Sequence, residues 1–245
     1  MLTLHSVLFA CHILFGSLAL ILVWIPVIAK KGSLNHIKFG RYYSHSMYAV
    51  ALSGAVMAIM VIAYPLAIKG HLLSPQADQQ MFVNNIRIFW FFLLFLSLLT
   101  YTSVRQGFAV LKFKRDTRPL RKVWHIGPII LLGISAIAMF ILGLLYGRTL
   151  HSVFGMLGIA ISIGMLRYCL NATPKPKQWL VEHLGAMLGS AIGAYTAFFA
   201  FGGRSLFSDL GNAQLLFWIA PGVIGGTAIF LLSRKYQPRQ RNTLE

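Results

Sequence analysis

The sequence predicts an all-α, polytopic membrane protein, a bundle of seven transmembrane helices. Three observations predict it. The chain of 245 residues is 57% hydrophobic, with a mean hydropathy of +0.71. Its apolar runs recur at close to the roughly 20 residues that a bilayer-spanning helix needs. Its basic residues gather at alternate connections between those runs. No run shows the polar and apolar alternation of an outer-membrane strand, and lipid leaves the backbone no other way than a helix to satisfy itself.

The first span, about residues 5–29, opens on His5 and lacks a basic leader, so it reads as a retained helix rather than a signal peptide. The second, about 41–67, follows Lys30, Lys31, Lys38 and Arg41. A polar stretch from Lys69 to Asn85 then reads as a solvated connection. The third span covers about 86–105 and leads into the basic loop Lys112 to Lys122, expected to meet anionic lipid headgroups. Spans four to seven follow at about 124–146, 150–171, 179–201 and 213–233. No linker is long enough to divide the chain, so residues 1–245 are expected to form a single transmembrane domain.

The formal net charge of +17 would point to nucleic acid in a soluble protein. Here the cations flank spans instead of forming one patch, so nucleic acid is not an expected partner. Of the 22 Lys and Arg residues, 18 lie at the connections after spans one, three, five and seven. Lys69, Arg87, Arg148 and Arg204 hold the other side. The positive-inside rule then puts the N-terminus outside and the C-terminus in the cytoplasm. Cys11 and Cys169 fall near opposite membrane faces and read as buried small residues rather than a disulfide.

His5-Ser6-Val7 opens span one, and His151-Ser152-Val153 opens span five. His36 and His183 follow them at similar distances. This echo predicts a three plus one plus three arrangement with parallel repeats.

Topology sorts the eight histidines into two sets. His5, His12, His71 and His151 belong to the outer side; His36, His45, His125 and His183 belong to the inner side. Neutral imidazole is a strong haem or metal ligand, and helix bundles build such sites from facing helices. A flat macrocycle also needs small residues beside its ligand. His151 is followed on its own face by Gly155, Gly158 and Ser162, and His12 by Gly16 and Ala19. His45 is followed by Ala49 and Ser53, and His183 by Ser190 and Ala194. The expected ligands, to haem b or another metal, are therefore His12 and His151 outside and His45, His125 and His183 inside. Arg41 and Tyr42, with Tyr43, Arg121 and Lys122, lie near the inner set, and Arg148 near the outer one. Their donors suit haem propionates or a quinone headgroup. Each of these residues also has a plainer use, in helix packing or interfacial anchoring.

No Asp or Glu lies in the middle of a span, so a carboxylate-driven proton or sodium pathway is not expected. Glu182, near the inner end of span six and beside His183, is the one candidate base near a histidine. Walker, dinucleotide and HExxH motifs are missing.

The run His36-Ile37-Lys38-Phe39-Gly40-Arg41-Tyr42-Tyr43 and Met47, after a span carrying His12, Gly16, Ala19 and Leu20, resembles a family of bacterial multipass membrane proteins defined by a domain of unknown function. The stretch from Trp179 to Met187, then Thr196-Ala197-Phe198 and Trp218 to Gly222, is similar to the second half of such proteins. The resemblance covers most of the chain and implies a bacterial inner-membrane location but little chemistry. It gives His125 no support, because span four carries no matching motif. The functional expectation is a haem- or metal-binding membrane protein with an electron-transfer or quinone-linked role; as an enzyme it would be an oxidoreductase. The rival expectations are a small-solute transporter built on the helix repeat, and a non-catalytic assembly or sensor protein.

Overall fold

A computed structural model of the chain describes residues 2–202 and 215–236, and these residues are helical throughout apart from short connections. The helices are α1 (Leu2–Leu22), α2 (Trp24–Ile28), α3 (Leu34–Ala63), α4 (Pro65–Lys69), α5 (Gln79–Phe113), α6 (Val123–Leu145), α7 (Thr149–Leu170), α8 (Gln178–Ala197) and α9 (Leu215–Tyr236). Among the described residues, seven helical segments are long and apolar enough to cross a membrane, α1 with α2 forming the first. The chain is thus a multipass membrane protein by length and composition. Of the residues named above, Arg204 lies outside the described residues, as do the first two positions of the seventh expected span.

The boundaries differ from expectation where local chemistry overrides hydropathy. Helix α3 starts earlier, at Leu34, because the Ser33 hydroxyl caps it by accepting from the His36 N–H at 3.3 Å. It ends earlier, at Ala63, because Pro65 disfavours helical backbone at Tyr64. Helix α5 starts well before the expected span, where Asp78 Oδ1 accepts from the N–H groups of Gln80 and Met81 at 2.7 and 3.2 Å. The polar connection before it is therefore shorter than hydropathy suggested, and it contains α4 and one 3₁₀ turn.

The described residues form two compact units, one of Met1–Thr102 with Ile130–Ser162, the other of Ser103–Ile129 with Ile163–Glu245. Helices α5, α6 and α7 contribute to both. In the first unit the α6–α7 hairpin is closely packed. A Cβ built on Gly155 would lie 2.6 Å from the Phe140 backbone nitrogen, and one on Gly158 would lie 2.6 Å from the Phe95 ring. Only glycine allows these approaches. In the second unit Val104, Val110, Leu120, Ile129, Met165, Tyr168 and Cys169 form the core.

With five acidic residues against 22 basic ones, most cations cannot find a carboxylate. Several satisfy orphan helix carbonyls instead. Lys31 Nζ donates to the carbonyls of Pro26 and Val27 in α2, at 2.8 and 2.6 Å. Arg87 Nε donates to Ile62 O near the end of α3 at 3.1 Å, and Arg121 donates to Cys169 O and Leu170 O at the end of α7, both at 3.3 Å. Pro128 has no N–H for the Trp124 carbonyl one turn earlier; Arg105 Nη2 donates to that oxygen at 2.9 Å. A helix end at membrane depth has four such carbonyls and little water to meet them. The positive charge also opposes the negative end of the helix dipole.

Side-chain hydroxyls complete the pattern in the second unit. Thr117 Oγ1 donates to Asn171 O at 2.6 Å, and Tyr168 Oη donates to Lys114 O at 2.6 Å, where Lys114 turns out of α5 in a left-handed conformation. Tyr168→Phe is expected to lower stability by about 1 kcal/mol through loss of this bond. Thermal unfolding in detergent micelles reads it, and an unchanged midpoint would show that the bond contributes nothing.

Candidate functional site

His12 sits where α1, α3 and α5 meet. Its Nδ1 lies 3.0 Å from Ser53 Oγ. That hydroxyl directs its own hydrogen at the backbone carbonyls of Ala49 and Val50, 2.7 and 3.1 Å away. Ser53 can therefore only accept from the ring, so Nδ1 carries the proton and Nε2 the lone pair. Gly54 makes room for the ring, because a Cβ there would lie 3.3 Å from His12 Cε1 and 2.7 Å from Ser97 Oγ of α5.

His151, the other expected outer ligand, is buried elsewhere in the same unit. Its Nε2 approaches Ile88 O at 3.4 Å, its ring centroid is 5.2 Å from that of Phe92, and its Nδ1 is buried with no hydrogen-bond partner. At 3.6 residues per turn, Ile88 and Phe92 lie about 180° and about 140° around α5 from Ser97. The body of α5 therefore stands between His12 and His151, and the pair does not face one ligand. The glycines beside His151 do not line a groove either. Gly155 and Gly158 are filled by Phe140, Ala136 and Phe95.

His5 is buried on the same side of α5 as His12. Its ring meets Trp90 edge-on at 5.8 Å, and its Nε2 has no hydrogen-bond partner. Lys69 lies over the other participant, with Nζ 5.2 Å from the Trp90 ring centroid. Burial holds that ammonium below the ordinary lysine range. Arg148, a candidate anion binder by sequence, donates to Asn85 Oδ1.

Of the histidines expected on the inner side, His45 lies on an exposed face of α3 together with Arg41 and Tyr42, one turn away. Lys38 completes the face, its Nζ 6.0 Å from the ring centroids of Phe39 and Tyr42. His36 donates from Nδ1 to Pro26 O at 3.0 Å, and His71 is exposed in the 3₁₀ turn Gly70–Leu72.

The second unit holds His125 and His183. His183 Nδ1 donates to Gly107 O at 2.8 Å, which places its lone pair on Nε2 as in His12. His125 Nε2 donates to Gln106 Oε1 at 2.8 Å, and Cys169 Sγ reaches the same oxygen at 3.7 Å. Gln106 is only 1% exposed, and its Nε2 has no partner. Glu182 interacts electrostatically with Cys169 and Tyr168. Arg121 is engaged at the end of α7, so its guanidinium already has acceptors there.

Sequence reasoning passed over Gln106, and read Ser53 only as a small neighbour. A visible signal for the first was an amide at the end of an apolar span, next to Arg105. The role of Ser53 had no local signal, because its partner is 41 residues away. Among the described residues, no three His, Cys, Asp or Glu side chains are grouped to hold a metal ion. Searches of protein-family models, curated proteins and solved structures return no match to the chain.

Proposed function

We propose that this multipass membrane protein binds haem b through His12 and, in its other unit, through His183, and serves electron transfer in the membrane. The observation that carries the reading is the His12–Ser53–carbonyl relay. Histidines that ligate iron or zinc characteristically donate their second ring N–H to a fixed acceptor, which sets the tautomer and orients the ring. His12 has that partner in Ser53, and His183 has one in Gly107. A bare transition-metal ion takes three or more protein ligands, whereas the macrocycle supplies four of the haem iron's ligands and asks the protein for one or two. The scattered histidines suit the second case.

When bound, haem supplies a one-electron carrier. The chain's own part is to hold imidazole in the ligating tautomer, to exclude water around it, and to present donors for propionates. Arg41 and Tyr42, on one exposed face of α3, offer such donors and suit a quinone headgroup equally. Placing the N-terminus outside and the C-terminus in the cytoplasm of a bacterial inner membrane completes the reading, supported by the distribution of Lys and Arg and by the resemblance of the His36–Tyr43 run. A parallel repeat of the two His-Ser-Val openings belongs to the same reading.

Protein purified from haem-replete cells is expected to show a reducible Soret band. His12→Ala should remove the part of it owed to the first unit, and Ser53→Ala should weaken haem retention by about 10–100-fold. A colourless sample after haem supplementation would end the proposal.

A further inference from the structure

In the first unit the start of α1, the end of α4 and an early turn of α5 meet around Trp90. The His5 ring of α1 stands edge-on to the indole with centroids 5.8 Å apart, and Lys69 Nζ of α4 lies 5.2 Å from the Trp90 centroid. His5 is only 8% exposed, and its Nε2 has no hydrogen-bond partner. A buried polar atom left unpaired is rare and calls for an explanation. Lys69 is half-buried, and among the described residues it makes no hydrogen bond or ion pair. An aromatic face offsets less of the cost of desolvating an ammonium than a counter-ion does. The unit has no counter-ion to spare. Asp78 is its single acidic residue, and the Asp78 carboxylate caps α5 by accepting from the N–H groups of Gln80 and Met81. The nearby cations are placed differently. Arg87, one turn before Trp90, donates to Ile62 O, and Arg148 donates to Asn85 Oδ1. His5 also lies in the first turn of α1, where N–H groups without helical acceptors and the positive end of the helix dipole favour negative charge.

We propose that Lys69 and His5, set on Trp90 at the start of α1, form a binding site for a phosphate group, carried by a phospholipid or by a free anion. The ammonium moves from the indole face onto one phosphate oxygen, and His5 donates its Nε2–H to another. Lysine suits the first task, being a point charge on a flexible stem. A tetrahedral phosphate suits both donors, because it offers several acceptor oxygens within one small group to side chains arriving from two helices. Trp90 holds the two donors side by side and gives the site an apolar wall. The site uses none of the proposed haem ligands, and haem-free protein retains it.

The test is titration of inorganic phosphate into the full chain in a non-ionic detergent at constant ionic strength, read by tryptophan emission and by the thermal unfolding midpoint. A saturable response in both is expected, because a ligand of the folded state raises the midpoint. Lys69→Gln keeps most of the stem and should weaken the apparent Kd at least about tenfold; His5→Phe keeps a ring against Trp90 and should do the same. Trp90→Phe should lose the emission response and keep the rise in midpoint. Lys112→Gln removes an equal charge from a lysine that also stands over a ring, 5.4 Å from the Phe113 centroid. It should leave the Kd within about twofold, since salt screens exposed charge. The same titration with phosphatidylglycerol in the micelles separates the sources: tighter binding of the lipid assigns the site to a headgroup, and tighter binding of phosphate assigns it to a free anion. A wild-type protein that responds to neither probe, Lys69→Gln and His5→Phe variants that bind as tightly as it does, or a Lys112→Gln loss equal to that of Lys69→Gln would overturn the proposal.

Discussion

Gly155→Ala is expected to destabilise the protein by about 2–3 kcal/mol, while Gly189→Ala leaves it as stable or slightly more so. The added methyl at Gly155 would meet the backbone of α6: Phe140 N at 2.6 Å, Phe140 Cα at 2.8 Å and Ala136 O at 2.9 Å. None of these atoms can rotate aside, so α6 and α7 would have to separate and the contacts of the hairpin would loosen together. At Gly189, on α8, nothing lies within 4 Å of the new methyl, and alanine is the better helix former. Both glycines belong to small-residue stripes that look alike in the sequence. Thermal unfolding of the two variants in the same detergent distinguishes them, and equal losses would show that the α6–α7 approach is not as close as described.

Gln106→Leu is expected to cost about 2–3 kcal/mol, and adding His125→Phe should restore much of it. The single substitution removes the acceptor from His125 Nε2, which is buried. The double substitution removes both the donor and its lost acceptor, leaving aromatic and aliphatic surface of similar volume. Removal of one partner is the expensive case, and removal of both can be nearly neutral. If the double variant is less stable than Gln106→Leu by the full cost of a second independent change, His125 and Gln106 are not coupled as their 2.8 Å contact implies.

The seven spans were legible because hydropathy is a local sum, and several of their limits shifted where a cap or a proline intervened. Ser33, Asp78 and Pro65 are visible in the sequence, and each moved a helix end by a known rule. The histidines were legible as unusual residues but not as pairs. His12 and His151 share an expected side of the membrane, yet α5 stands between them. The glycines after His151 were legible as a small face, but α6 fills that face rather than a macrocycle. The basic residues were read as topology signals; in the structure Lys31, Arg87, Arg105 and Arg121 also satisfy helix carbonyls.

By itself the sequence determined that this chain is helical and suited to the membrane, because lipid accepts only backbone that satisfies its own hydrogen bonds and about 20 apolar residues in a row suffice to do so. Only the tertiary structure decided which group each polar side chain meets. His12 finds Ser53 41 positions away, His183 finds Gly107 at 76, and Cys169 finds Gln106 at 63. Such pairings depend on the rotation of each helix about its own axis. That rotation is set by how side chains interlock along whole helices, which no local pattern in the chain encodes.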